Sequence, residues 1–290
     1  MMSIEGHAIR TAAVAFTIWA GAPAVLAEPR DIYLLMGQSN MSGRGSVAEL
    51  TVAERALDPR ILLLGNDGRL RVAAEPLDDA RGQIHVASAD PRAGVGPGLF
   101  FARAMLARNG RPIVLIPCAK GGSSIHDWTS FDEADSLYTS CIARTRSVGG
   151  RIAGLLWYQG ETDARDPNAF RWWPLAFRRL VARARRDLRF SGLPIVAVSL
   201  ARYEPGLKPY PGWRRLQAAQ SALSVKGVAI VGTKDLPLQA DGLHLTTAAQ
   251  RTLGARIAYV WVAAQLRTRP NLLSGTVRPN APAGDWGWTG

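Results

Sequence analysis

A serine, a histidine and an aspartate in this sequence have the residue types and local settings that acyl transfer uses. Ser39 follows the largely apolar run from Asp31 to Gly37, and His244 lies three residues after Asp241. A serine hydroxyl can attack an acyl carbon when a histidine takes its proton and a carboxylate orients that histidine. The sequence therefore predicts Ser39 as the nucleophile, His244 as the general base and Asp241 as the orienting acid.

Acyl transfer also requires hydrogen-bond donors directed at the oxyanion that develops on the attacked carbonyl. The candidates are the backbone N–H groups of Ser39 and of Gly122 or Gly121, together with the side-chain amide of Gln159. Adjacent glycines after an apolar run let backbone amides approach a ligand closely, although a plain turn has the same pattern.

Other polar residues near these positions have less certain roles. Glu161 and Asp163 are alternatives to Asp241 as the orienting acid, but Glu161 beside Gly160 is better suited to bracing its loop. Gln38, Asn40 and Glu161 are candidates for substrate binding or loop bracing. His126 could touch substrate, although a surface histidine without a role is the simpler interpretation.

Aromatic residues beside these loops bear on the substrate. Trp128 is a candidate for substrate binding or loop bracing, and Trp128, Trp157 and Trp213 could all offer flat faces to sugar rings. An aromatic next to a strand more often packs in the core. Nothing in the sequence resembles a long acyl tunnel, which favours a small group such as acetyl.

The elements that must position these residues follow from hydrophobic patterning. Short apolar runs that end at glycine or polar residues predict buried strands, and segments with helical spacing alternate with them. This alternation predicts a central parallel sheet of about five strands with helices on both faces. The loops after the carboxyl ends of such strands share one edge, so the candidate residues can meet there. Predicted strands end at Gly37, Pro117, Tyr158, Leu200 and Val231, with a further short strand at Ile61 to Leu64, and predicted helices cover 99–109, 132–148, 167–189, 213–224 and 247–266.

The motifs also distinguish between esterase families. Gly37-Gln38-Ser39-Asn40-Met41 lacks the second glycine of the Gly-x-Ser-x-Gly elbow of α/β-hydrolases. Instead the chain resembles the SGNH hydrolase superfamily, and within it the sialate O-acetylesterase-like group that includes the acetylxylan esterases of carbohydrate esterase family 6. The resemblance covers about residues 31 to 266 and rests on four segments: Gly37 to Met41, Pro117 to Trp128, Trp157 to Asp163, and Asp241 to His244.

The resemblance implies a flavodoxin-like three-layer α/β/α fold and a metal-independent serine esterase, without a cofactor, that removes acetyl groups from carbohydrates. By position it makes Ser39 the nucleophile, His244 the base, Asp241 its partner, and Gly122 and Gln159 oxyanion donors. The wider superfamily has asparagine where this chain has Gln159, whereas the acetylesterase-like branch has glutamine. The alternatives are a lipase or thioesterase that acts on longer acyl chains, and a non-catalytic polysaccharide-binding protein.

Composition narrows the class of partner. Of the 290 residues, 47% are hydrophobic and 20% are charged, which is typical of a globular protein, and we expect one domain over residues 28–269 with a Pro/Gly-rich tail at 270–290. The formal net charge is +12. The arginines are spread along the chain, and the densest group, at 178–186, fits the solvated face of one helix, so nucleic acid is not an expected partner. An acetylated oligosaccharide or polysaccharide is expected, and the oligomeric state is left open.

The amino terminus and the cysteines bear on the compartment. Arg10 precedes the apolar run Thr11 to Leu26, and small residues before Glu28 fit a cleaved secretory signal over residues 1–27. We therefore expect an exported protein, periplasmic or secreted, without a stable membrane span. Cys118 and Cys141 could pair in an oxidising compartment, or Cys118 could be a buried free thiol. Metal binding is not expected, because these cysteines and the four scattered histidines lack ligand spacing.

Overall fold

Strand β1 (Asp31–Gly37) lies at the centre of a seven-stranded sheet in the computed structural model, which describes residues 29–78, 90–204 and 210–268. The strand order is β3-β2-β4-β1-β5-β6-β7. Only β3 is antiparallel to its neighbour, and the other strand pairs are parallel. The other strands are β2 (Ile61–Leu64), β3 (Leu70–Val72), β4 (Ile113–Pro117), β5 (Arg151–Tyr158), β6 (Ile195–Val198) and β7 (Val228–Val231).

The five central strands carry the predicted fold. Their order, β4-β1-β5-β6-β7, is 2-1-3-4-5 when these five are numbered along the chain, which is the flavodoxin-like order. The expected count of about five strands is too low, because β2 and β3 form an antiparallel hairpin that extends the sheet beyond β4. Strand β3 has only three residues, largely exposed, so it carries no hydrophobic alternation that a sequence could reveal.

Helices cover both faces of the sheet, as the alternation of elements predicts. Successive residues of β1 point to opposite cores: Leu34 packs in one with helices α4 to α7, and Leu35 packs in the other with α3 and α8. The helices are α1 (Ser39–Ser42), α2 (Val52–Arg55), α3 (Gly98–Asn109), α4 (Ile125–Thr129), α5 (Leu137–Arg146), α6 (Ala169–Asp187), α7 (Trp213–Ser221) and α8 (Thr247–Thr268).

The two cysteines form a disulfide, which settles the pairing that the sequence left open. Cys118 directly follows β4 and Cys141 lies in α5, with their Cα atoms 5.6 Å apart. Both are fully buried. The bond therefore ties the start of the loop that carries Gly121 and Gly122 to a helix of the core.

Within the described ranges, no helix combines the length and the hydropathy needed to cross a bilayer. The predicted signal segment at residues 1–27 and the predicted tail at 270–290 lie outside the described residues.

Candidate active site

Ser39, His244 and Asp241 form a hydrogen-bonded series at the carboxyl edge of the sheet. Ser39 Oγ lies 3.0 Å from His244 Nε2, and His244 Nδ1 lies 2.5 Å from Asp241 Oδ2. With a carboxylate on Nδ1, the imidazole holds its proton there and presents a free lone pair on Nε2 to the serine. The fold thus brings together a hydroxyl and an imidazole that are 205 positions apart in the sequence.

The sharp end of β1 sets the position of the serine. Gly37 has φ +131, and a Cβ there would lie 2.1 Å from the carbonyl oxygen of Tyr158 on the neighbouring strand. Glycine therefore permits the close approach of β1 to β5 and the turn that follows. Ser39 is the first residue of α1, so its N–H has no acceptor within that helix.

The loop that carries Asp241 and His244, here called the histidine loop, is held by a local turn. Asp241 Oδ1 accepts hydrogen bonds from the N–H groups of Leu243 and His244, both at 2.9 Å. Partial burial opposes its charge, but these N–H groups and the imidazole outweigh burial and lower the pKa of Asp241. Burial lowers the pKa of His244, and the nearby Asp241 carboxylate only partly opposes that shift, so the imidazole is neutral and able to accept a proton at pH 7.

The segment after β1 that carries Gln38, Ser39 and Asn40 is here called the serine loop. Asn40 joins it to the histidine loop. Its Oδ1 accepts from the N–H of Leu245 at 3.0 Å, and its Nδ2 donates to the carbonyl oxygen of Leu243 at 3.2 Å. Nδ2 also donates to Glu161 Oε1 at 2.7 Å. Asn40 is fully buried and hydrogen-bonds the backbone on both sides of His244. It therefore braces the loop and does not contact substrate.

Gln38 is a second buried brace. Its Oε1 accepts from the N–H groups of Gly160 and Thr162, each at 3.3 Å, and from Gln159 Nε2 at 3.2 Å. These contacts tie the serine loop to the loop that follows β5.

The two alternative acids bind elsewhere. Glu161 is buried against Asn40, and burial raises its pKa to about 7 although the Asn40 hydrogen bond opposes this. Asp163 accepts from the N–H of Ile125 at 3.1 Å and from the Gln159 amide, and burial raises its pKa to about 6 against those two hydrogen bonds. Of the three carboxylates, Asp241 is the one that contacts the imidazole.

The geometry distinguishes between the two candidate glycines. The N–H of Gly121 donates to Asp90 Oδ2 at 2.9 Å, so the alternative that placed Gly121 among the oxyanion donors is wrong for this arrangement. No described residue accepts a hydrogen bond from the N–H of Ser39 or of Gly122. Gly122 is exposed, has φ +80, and has nothing within 4 Å of the position of a Cβ. The N–H groups of Ser39 and Gly122 are thus the two that remain available to a ligand.

The Gln159 amide is already committed to protein acceptors. It is fully buried, and its Nε2 donates to Gln38 Oε1, to the carbonyl oxygen of Ser123 at 3.1 Å, and to Asp163. Its Oε1 accepts from Trp173 Nε1 at 2.8 Å. An amide nitrogen has two hydrogens, so none is left for an oxyanion, and the structure does not support the predicted donor role of this side chain.

The three candidate tryptophans belong to the core. Trp128 and Trp157 are fully buried and meet edge to face with ring centroids 5.5 Å apart, and Trp213 is 2% exposed. Trp128 Nε1 donates to Ser123 Oγ at 3.0 Å. Trp128 therefore supports the loop that carries Gly121 and Gly122, here called the glycine loop. The interpretation that these rings face sugars is wrong, because all three pack in the core on one side of the sheet. For Trp128 the hydrogen bond to Ser123 fits the alternative of loop bracing. His126, in contrast, is exposed.

A buried ion pair behind the glycine loop was not evident from the sequence. Arg44 Nη2 lies 2.7 Å from Asp90 Oδ2, which also accepts from Ser42 Oγ at 2.7 Å and from the N–H of Gly121. Arg44 and Asp90 are 9% and 3% exposed. Their 46-residue separation and the absence of a motif leave no sequence signal for this contact. Elsewhere, no group of three His, Cys, Asp or Glu side chains in the described ranges is placed to hold a metal ion.

Comparisons with known proteins identify the family of this chain. The sequence profile described as "Carbohydrate esterase, sialic acid-specific acetylesterase" matches residues 29–263. A probable carbohydrate esterase from Arabidopsis thaliana is 35% identical over 253 residues, which are 81% of this chain and 91% of that protein. A solved structure of a protein from Arabidopsis thaliana has a TM-score of 0.70 at 34% identity, covering 81% of this chain and 98% of that one.

A carbohydrate acetylesterase from Xanthomonas citri shares the fold, with a TM-score of 0.58 at 22% identity over 80% of this chain and 57% of that one. The chain belongs to the family of carbohydrate esterases described as sialic acid-specific acetylesterases, and it is a carboxylic ester hydrolase.

Proposed function

We propose that this enzyme removes O-acetyl groups from carbohydrates through an acetyl-serine intermediate. The observation that carries the proposal is the series from Ser39 Oγ through the His244 imidazole to Asp241, with distances of 3.0 and 2.5 Å. The family supplies the ester class and the carbohydrate.

The first half of the reaction acylates the serine. His244 Nε2 takes the proton of Ser39 Oγ as the oxygen attacks the acetyl carbon, and Asp241 stabilises the imidazolium that forms. In the proposed reaction the N–H groups of Ser39 and Gly122 donate to the developing oxyanion, and each such donor is worth about 3 to 4 kcal/mol of transition-state stabilisation. The sugar hydroxyl then leaves with the proton that His244 returns to it.

The second half regenerates the enzyme. Water loses a proton to His244 Nε2 and attacks the acetyl-serine carbonyl, and the same N–H groups stabilise the second oxyanion. Acetate leaves when the Ser39 oxygen recovers its proton from the imidazolium.

The proposed substrates are O-acetylated sugars of the sialic acid or acetylxylan type, which the family description and the resemblance support respectively. A series of 4-nitrophenyl esters of increasing chain length tests the acyl group. We expect a steep preference for acetate, and maximal activity at eight or more carbons would instead favour the lipase or thioesterase alternative.

Ser39→Ala tests the mechanism on acetylated xylan and on 9-O-acetylated sialic acid. Loss of the nucleophile lowers turnover by about 10⁶ in serine hydrolases, and we expect a loss of that order here. Ser221→Ala is the matched control, since its hydroxyl on α7 bonds only the Gln217 carbonyl oxygen. Retention of most activity in Ser39→Ala would contradict the mechanism. If the wild type and Ser39→Ala both hydrolysed no ester, the result would favour a non-catalytic polysaccharide-binding protein.

Export to the periplasm or the medium is part of the proposal. It is supported by the sequence of residues 1–27 and by the Cys118–Cys141 disulfide, since such bonds persist in oxidising compartments. Amino-terminal sequencing of protein from the periplasm or medium should find Glu28 as the first residue, and recovery of the full chain from the cytoplasm would contradict this.

A further inference from the structure

Aromatic and arginine side chains form a continuous strip across the beginning of α6. On its α4 side, the rings of His126 and Trp172 lie against each other with centroids 4.7 Å apart and an interplanar angle of 32°. On its α7 side, the guanidinium carbons of Arg171 and Arg215 lie 5.4 and 5.6 Å from the centroid of the Phe170 ring. We refer to these five residues as the rim strip.

The rim strip lies at the catalytic edge of the sheet. Helix α4 follows the glycine loop after β4, α6 follows β5, and α7 follows β6. Helices that follow parallel strands begin at the carboxyl edge, which is the edge that carries Ser39. His126 is four residues after Gly122, so the two Cα atoms are at most about 14 Å apart.

The charges of the rim strip are not neutralised by the protein. Among the described residues, no carboxylate forms an ion pair with Arg171 or Arg215, whereas Arg44, Arg183, Arg251 and Arg256 each have at least one. Both arginines and His126 are exposed, and Phe170 and Trp172 are half-buried. Asp166 is the acidic neighbour on the α6 side, and its Oδ2 accepts from Trp172 Nε1 at 2.9 Å, which fixes the indole ring. On the α4 side, Asp127 follows His126 in the chain and Asp163 lies close enough to interact with it.

This combination of groups fits a charged sugar chain. An aromatic face packs against the C–H face of a sugar ring, and exposed guanidinium groups bind carboxylates with paired hydrogen bonds. The three candidate tryptophans of the sequence are buried, so within the described residues the exposed aromatic surface beside the glycine loop is that of His126 and Trp172.

We propose that the rim strip binds the carbohydrate chain that flanks the acetylated sugar, and that this chain is an acidic polysaccharide carrying uronic-acid carboxylates. The inference rests on the proposed function and names the substrate class of the same site. His126 and Trp172 pack against a sugar near the glycine loop, while Arg171 and Arg215 contact carboxylates farther along the chain.

The test compares two double variants that remove the same charge. Arg171→Ala/Arg215→Ala empties the arginine part of the rim strip. Arg178→Ala/Arg179→Ala is the matched control, because these exposed arginines lie on α6 about 10 Å farther along the helix axis. KM and kcat are measured for acetylated polygalacturonate, for acetylated xylan freed of uronic acids, and for 4-nitrophenyl acetate.

We expect Arg171→Ala/Arg215→Ala to raise KM for acetylated polygalacturonate about tenfold, from the loss of two exposed charge contacts, with 4-nitrophenyl acetate unchanged. The control should keep the wild-type KM, and high salt should reduce the difference between the two variants. His126→Ala should raise KM for both polymers and leave the small ester unchanged.

Two results would overturn the inference: equal effects of the two double variants, or a wild-type enzyme that prefers the neutral polymer. Failure of the proposed function looks different, because the wild-type enzyme would then not hydrolyse 4-nitrophenyl acetate or either polymer.

Discussion

The serine loop and the histidine loop are held in place by different means. Gln38, Ser39 and Asn40 are at most 4% exposed, and their braces come from residues more than 100 positions away. The Asp241 side chain is 44% exposed, and its carboxylate is held by the N–H groups of the next few residues. The nucleophile is thus positioned by long-range burial and the acid by a local turn, and substitutions in the two loops should fail in different ways.

Asp241→Asn should separate activity from stability most strongly. The amide oxygen can still accept the N–H groups of Leu243 and His244, but the imidazole loses its partner and its tautomer control. We expect kcat to fall by about 10⁴. Urea unfolding should show a free energy of unfolding within about 0.5 kcal/mol of wild type, as for an exposed site. A large loss of stability would contradict the local character of this turn.

Arg44→Gln should have the opposite signature. It leaves Asp90 buried without its ion-pair partner, and breaking a buried pair costs about 3 to 5 kcal/mol. Arg60→Gln is the control, because Arg60 pairs with Asp58 on the surface, where such pairs contribute about 0 to 1 kcal/mol. The two variants are compared by urea unfolding, and equal losses would show that the Arg44–Asp90 pair is not buried as described.

Asn40→Ala should affect both properties. Removing the amide leaves the N–H of Leu245 buried and unpaired, at a cost of about 1 to 3 kcal/mol. The histidine loop is also no longer held in position relative to Ser39, and a misplacement of this kind lowers kcat about 10²-fold. Asn109→Ala, whose amide bonds an exposed N–H at the end of α3, should change neither quantity. Full activity of Asn40→Ala would show that the braces around His244 are dispensable.

The pH dependence of kcat/KM should show the smallest of these effects, and it tests how burial and Asp241 act on His244. His244 must be neutral to take the serine proton, and burial lowers its pKa below the ordinary value of about 6.5. We therefore expect kcat/KM to fall as the pH drops through a pKa below 6.5 and to be level above it. Asp241→Asn should move this limb to still lower pH, because the carboxylate favours the imidazolium. An acidic limb above pH 7 would contradict the burial of His244.

The sequence predicted those parts of the site that depend on strand ends and local spacing. Ser39 follows a buried strand, and Asp241 and His244 share one turn, so these motifs and the family resemblance were enough to predict that the three side chains meet. Their catalytic roles stay a prediction. Gly121 and Gln159 were assigned to the oxyanion hole because a sequence does not show that Asp90 and Asp163 accept hydrogen bonds from their N–H groups. The same limit applies to the sheet, where the alternation of elements predicted the central strands but not the short, exposed β3.

In the proposed reaction Ser39 is the nucleophile and His244 activates it. An alkyl phosphonate fluoride probe that reacts with activated serines, followed by peptide mapping by mass spectrometry, tests it directly. We expect one labelled peptide, carrying the adduct on Ser39, and loss of labelling in His244→Ala at unchanged stability. Labelling of another serine, or equally fast labelling of His244→Ala, would contradict it.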